Sequence, residues 1–144
     1  MAITQALPNS FKKQLLDGDQ DFSSAGGDKF KLALYVSTAT LGAATTSYTT
    51  SGEVSSSGTN YTAGGKALVN SGTSVVSTVA FTDFADLSFQ NVTLTARGAL
   101  IYNTSFSNSA VAVLNFTTDK TATSGTFTIQ FPAFTSSAAI IRIS

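Results

Sequence analysis

The chain has 144 residues, of which 11% are charged, and eight Lys or Arg balance eight Asp or Glu to leave no net charge. That length suits one domain, and the charged share lies far below the roughly 25% of an average soluble protein. The eight cations are scattered, with only Lys12 and Lys13 adjacent, which excludes the clustered basic face that nucleic acid requires, and the absence of Cys and His excludes disulfides, thiol catalysis, Ser-His-Asp triads and the common zinc sites.

In chain order, the first twenty residues carry the only helical signal. Pro8 suits a first helical position, Phe11 and Leu15 fall on one face, and Gly18 suits the residue just past the end, so a short helix is predicted over about 8 to 17. Ile3, Ala6 and Leu7 precede it as an apolar arm able to pack on the domain or reach a neighbour. This N-terminal stretch has no long apolar core of the signal-peptide kind, and no run approaches the roughly 18 apolar residues of a membrane helix, so a protein made without Sec export is expected.

The next stretch, "LLDGDQDFSSAGGDKF", contains Asp17, Asp19, Asp21 and Asp28 at positions 1, 3, 5 and 12 of a calcium-loop spacing. Phe22 stands where such a loop turns on Gly, Asp28 stands where it needs a longer Glu, and a strand pattern follows where a second helix should be. A solvated helix-to-strand turn with no metal is therefore expected.

From Phe30 the period becomes two. In "FKLALYV", Phe30, Leu32, Leu34 and Val36 point one way and Lys31, Ala33 and Tyr35 the other, as in a half-buried strand. Residues 37 to 65 are small and polar and read as a long Ser/Thr/Gly-rich surface loop, with Leu41, Tyr48, Val54 and Tyr61 as anchors. "YTAGGKAL" then places Gly64, Gly65 and Lys66 together, but Asn60 and Ala67 occupy two positions that a phosphate loop reserves for Gly and Ser or Thr, so a tight turn into a strand is expected.

The segments "KALVN", "SVVSTVAFT", "LSFQNVTLTA", "GALIYNT", "AVAVLNFT", "GTFTIQF" and "AIIRIS" repeat the strand signal, with turn residues such as "SGT", "DFAD", "SFSNS" and "DKTATSG" between them. About eight short strands without helical crossovers predict an all-β fold, an antiparallel β-sandwich of jelly-roll-like kind, as a single domain over residues 1 to 144. Asp83 and Asp86 in "DFAD" read as turn caps, and Phe127, Ile129 and Phe131 as core. Asn60, Asn91, Asn103 and Asn115 open Asn-x-Ser/Thr triplets, which so Ser/Thr-rich a chain produces by chance.

Nothing in these patterns supplies a catalytic group or a cofactor site, and a role through surfaces is expected. Few charges guard the strand edges, which invites pairing with another chain. Ile3, Leu7, Phe11 and Leu15 in the arm and helix, with Ile140 and Ile141 near the end, are the candidate interface; the competing reading makes the terminal isoleucines the last core strand.

Taken together, "MAITQALPNSFKKQLLDG", "FKLALYVSTATLGAATTSYTTSGEV", "YTAGGKAL", "FTDFADLSF", "ARGALIYN" and "AVAVLNF" resemble a family of small virion structural proteins of tailed bacteriophages, over nearly the whole chain. The resemblance carries no individual functional residue. It implies a location in the virion, as a capsid cement or decoration protein contacting the major capsid protein and further copies of itself, or alternatively as a neck or tail component. From the composition and patterning, no enzyme activity, no nucleic acid and no membrane partner are expected.

Overall fold

The fold is organised around β1 (Phe30–Tyr35), whose residues from Leu32 to Tyr35 are all buried. The computed structural model describes residues 2–144. Alternation predicts that one face of β1 meets the core, and it does: Phe30, Leu32 and Leu34 join the larger apolar cluster. The other face is buried as well, because Ala33 and Tyr35 belong to a second cluster with Leu41, Leu100, Tyr102 and Val113. A strand enclosed on both faces needs two covering layers.

β1 lies in a four-stranded antiparallel sheet of order β2-β1-β5-β6, with β2 (Lys66–Ala67), β5 (Leu87–Asn103) and β6 (Ser109–Ile129). A second antiparallel sheet has the order β3-β4-β7, with β3 (Asn70–Val76), β4 (Val79–Phe84) and β7 (Ile141–Ile143). The chain is thus an all-β, sandwich-like fold of two antiparallel sheets with one short helix, as its periodicity predicts.

Among the described residues seven strands form where about eight are expected. "LSFQNVTLTA" and "GALIYNT" are one strand, β5, and "AVAVLNFT" and "GTFTIQF" are one strand, β6. The predicted turn "DKTATSG" lies inside β6, because the β5–β6 ladder continues through Thr95↔Thr121 and Ala96↔Lys120 and absorbs the irregular residues as register shifts. Conversely, "SVVSTVAFT" splits into a hairpin at Ser77 and Thr78, with Ser77 at φ 55°. The "SGT" signal at residues 71 to 73 marks a bulge in β3, where Gly72 has φ 93°.

The long β5–β6 ribbon curls so strongly that the rings of Phe116 and Phe127, eleven positions apart, have centroids 6.2 Å from each other. Its first part therefore continues the sheet beside β1, while Leu87, Phe89, Val92 and Leu94 with Phe127 and Ile129 close over the larger cluster. Phe22, Phe30 and Phe84 fill the centre of that cluster, the first two stacked at 4.7 Å. Each such side chain contributes about 1.5–3 kcal/mol on burial.

The helix α1 (Asn9–Asp17) follows Pro8, the residue at its N-cap. It ends where Gly18 takes the left-handed conformation, with Gly18 N–H donating to Leu15 O and Asp19 N–H to Gln14 O, so two otherwise orphaned carbonyls are satisfied. Phe11 is its one fully buried residue and meets Phe22 edge-on.

Candidate functional site

Residues 37 to 65, expected as a surface loop, lie outside the seven strands but cover β1: Ala39, Leu41 and Tyr48 pack on the second cluster, whereas Val54 and Tyr61 join the larger one. Ala39, Leu41, Val54 and Tyr61 are buried and Tyr48 is half-buried, so every predicted anchor in the segment is used. Its backbone also extends the β1 edge: Val54 N–H donates to Leu34 O and Val36 N–H to Gly52 O, both at 2.9 Å. Leu68 N–H reaches Phe30 O farther along. Between these two pieces the Leu34 amide faces no strand, and the Tyr61 hydroxyl accepts from it at 3.0 Å.

A polar cluster centred on this segment has no counterpart in the sequence reading. Glu53, the only glutamate of the chain, accepts from Tyr48 OH at 2.7 Å, Tyr61 OH at 3.1 Å and Gly64 N–H at 2.6 Å. The two remaining tyrosines complete it: Tyr102 OH donates to Gly64 O and Tyr35 OH to Thr49 O, each at 2.6 Å. Tyr48 and Tyr102 stack with centroids 4.7 Å apart. Burial is the main cause that raises the Tyr35, Tyr48, Tyr61 and Tyr102 hydroxyls above their ordinary pKa, and the nearby Glu53 carboxylate reinforces it. All four tyrosines thus stay neutral donors, Tyr48 and Tyr61 to the Glu53 carboxylate and Tyr35 and Tyr102 to backbone carbonyls. Nothing beyond the isolation of one Glu in a polar stretch could have signalled this in the sequence.

The Gly64-Gly65 pair is a turn, as expected, and both residues have positive φ. Gly65 passes so close to β1 that an added Cβ would lie 1.9 Å from Leu32 O. Its backbone thus carries the chain from the Glu53 cluster directly into β2.

The aspartate-rich stretch is tied by its own hydrogen bonds. Asp28 Oδ2 accepts from Asp21 N–H at 3.0 Å and from the Asn103 side chain at 2.8 Å, while Asp21 Oδ1 accepts from Ser23 N–H at 2.9 Å. Asn103 is fully buried and also donates to Gln20. The stretch therefore clamps the β5–β6 turn onto the end of α1. Among the described residues no group of three or more His, Cys, Asp or Glu comes together in a metal-binding arrangement.

Asp83 and Asp86, expected as turn caps, differ from that reading: Asp83 is a buried residue near the end of β4, and Asp86 follows β4 and bonds to a remote segment. Asp86 Oδ1 accepts from Phe131 N–H at 2.8 Å, holding the chain that leaves β6. Asp83 is only 1% exposed; its Oδ1 accepts from Phe84 N–H, while Oδ2 has no partner at hydrogen-bonding geometry. Burial raises its pKa, and the Phe84 and Ile140 amides only partly oppose that shift.

The six candidate interface residues do not form one exposed surface. Ile3, Phe11 and Ile141 are buried within the chain itself, and Leu7, Leu15 and Ile140 are half-buried against the larger cluster. Ile141 lies in β7, so the core-strand reading applies to it. Ile3 occupies a slot: Thr4 N–H donates to Leu41 O, Leu41 N–H to Ala2 O, and Ala6 and Val113 exchange both backbone bonds. The reason is that β6 would otherwise present an unpaired edge at Val113. Removing residues 2 to 11 would therefore open the core.

The apolar surface that is exposed lies elsewhere. Val75, Ala80 and Ile143 stand in register across β3, β4 and β7, and Val75 and Ile143 remain 64% and 55% exposed. Two residues on, the row Thr73, Thr82 and Ile141 shares that side, and there Thr82 and Ile141 are buried. The inner side of the three-stranded sheet thus overhangs its core. Both β3 and β7 are edge strands with β4 as their one ladder partner. Among the described residues no helix is long and apolar enough to cross a membrane. Comparison with protein-family models, with curated proteins and with solved structures finds no match to this chain.

Proposed function

We propose that this protein is a structural component of a tailed-bacteriophage particle, acting as a capsid cement or decoration protein that bridges neighbouring capsomers. The reading starts from the family resemblance of the sequence. The structural observation that supports it is the overhanging apolar row Val75–Ala80–Ile143, bounded by two edge strands on which Arg142 is the only charge. Short strands, charges, prolines and bulges protect the edges of proteins that must stay single. β7 is short and β3 carries a bulge, but beyond that bulge β3 runs from Thr73 to Val76 with no charge or proline to block a partner. A chain of zero net charge has little long-range repulsion to oppose association. Many copies each making a modest contact hold a shell more firmly than any one contact would.

A neck or tail component is the second reading, favoured by one feature: the free edges β3 and β7 lie on opposite sides of the same sheet. A head-to-tail β3-to-β7 contact is heterologous and closes into a ring when its rotation allows. Copy number decides between the two. Quantitative mass spectrometry of purified virions is expected to give hundreds of copies per particle for a cement protein, against about six to a dozen for a ring. Absence of the protein from infectious particles would end both readings.

A further inference from the structure

We propose that residues 2 to 7 form an exchangeable strand that seats in the slot of a second copy of this chain. The occupant is the one already seen in the slot, the arm itself, and its contacts fall on two segments remote in sequence. Leu41 holds it through Ala2 and Thr4, while Val113 holds it through Ala6. Ile3 inserts over Gly98, where an added Cβ would meet two Ile3 methyl carbons at 2.9 Å, so the floor of the slot has no room for a side chain of its own.

The slot cannot stand empty without cost. With the arm gone, Val113 N–H and C=O and the Leu41 amide lose their partners, and Ile3 leaves the cluster with Tyr35, Leu100 and Tyr102. An arm from a second copy restores every one of these contacts, so exchange changes connectivity while conserving the bonds made, and concentration sets its extent.

The attachment permits it. Pro8 joins arm to helix in an extended conformation, φ −57° and ψ 147°, with no side-chain cap bond across the junction, so a change at this one link redirects the arm. The body stays anchored beyond it by Phe11, which is fully buried. Neither the arm nor the adjoining open groove of about 730 Å³, lined by Thr40–Ser47 with Ala2 and Thr4, contains an ionisable side chain. An incoming arm therefore meets no charge that would discriminate against it.

The proposal concerns the isolated protein and holds or fails independently of the virion reading. The chain has no cysteine, and a Cβ at Gly42, whose backbone is not in the left-handed region, would lie 3.6 Å from Thr4 Cβ, within disulfide range. A tagged T4C chain is mixed with an untagged G42C chain and oxidised with glutathione disulfide over a range of protein concentrations. Both positions are at the surface, and circular dichroism confirms that each variant is folded. The expected result is a mixed covalent dimer whose yield rises with concentration and exceeds several-fold that of T4C mixed with S137C. Mixed-dimer yield no higher than this background, while the T4C/G42C double variant closes efficiently within one chain, would overturn the proposal.

Discussion

The Tyr61 hydroxyl accepts a hydrogen bond from the Leu34 amide at 3.0 Å and donates one to Glu53 at 3.1 Å. One side-chain oxygen thus fills the gap that a strand leaves along β1 and at the same time fixes the covering layer to the sheet. Replacing Tyr61 with Phe keeps the ring but leaves a buried N–H without a partner. The expected cost is about 1–3 kcal/mol in urea unfolding, with faster hydrogen exchange at Leu34. Unchanged stability and exchange would mean that another group satisfies that amide.

Alkaline pH should unfold the protein cooperatively. The hydroxyls of Tyr35, Tyr48 and Tyr61 are raised in the fold above their ordinary value of 10.0, chiefly by burial. The folded state therefore binds these protons more tightly than the unfolded one. Stability is fully present below pH 10 and declines above it, by about 1.4 kcal/mol per pH unit for each well-shielded hydroxyl. Tyrosinate absorbance and loss of circular dichroism should rise together. Tyrosines that ionise one by one near pH 10 in a folded protein would contradict this.

Asp83 should make the fold weaker at neutral pH than at acid pH, when read against a variant that cannot titrate there. Its folded pKa lies above the ordinary 3.8, so ionisation is opposed in the fold and unopposed in the unfolded chain. Its contribution is complete below pH 3.8 and is lost as pH rises through the folded value. The difference in unfolding free energy between the native chain and D83N should shift toward D83N between acid and neutral pH. A difference independent of pH would remove Asp83 ionisation from the balance.

Two glycines with nearly the same backbone should respond very differently to alanine. Gly65 and Gly58 have φ of 81° and 72°, but an added Cβ meets Leu32 O at 1.9 Å in the first case and nothing within 4 Å in the second. G58A is expected to cost about 1–2 kcal/mol, the strain of a left-handed alanine. G65A adds displacement of β1 to that strain and should cost well over twice as much, read by thermal unfolding. Equal losses would show that β2 yields without disturbing β1.

Phe11 and Leu16 separate the two sides of α1. Phe11 is fully buried and Leu16 is 90% exposed. F11A should therefore cost about 3–5 kcal/mol, whereas L16A should fall within about 0.5 kcal/mol of the native chain in urea unfolding. A comparable loss for both would place Leu16 in a contact the single chain does not show.

The sequence by itself determined the all-β class, the helix with its glycine stop and the anchors of the long polar segment. Those features rest on local chemistry: a period of two, and a residue free to adopt positive φ. What the sequence could not determine is which faces and edges find cover. Alternation shows that β1 has a core face, yet it is blind to the cover that Ala39, Leu41 and Tyr48 lay on its other face. For the same reason Ile3 and Phe11 read as an available apolar arm, although the unpaired edge of β6 and the hollow above Gly98 draw Ile3 inward. Glu53 and its four tyrosines, spread over residues 35 to 102, become a cluster only when β5 is paired with β1 and the covering layer is folded down. Burial and partnership of this kind belong to contacts between remote segments, and only the tertiary structure decides them.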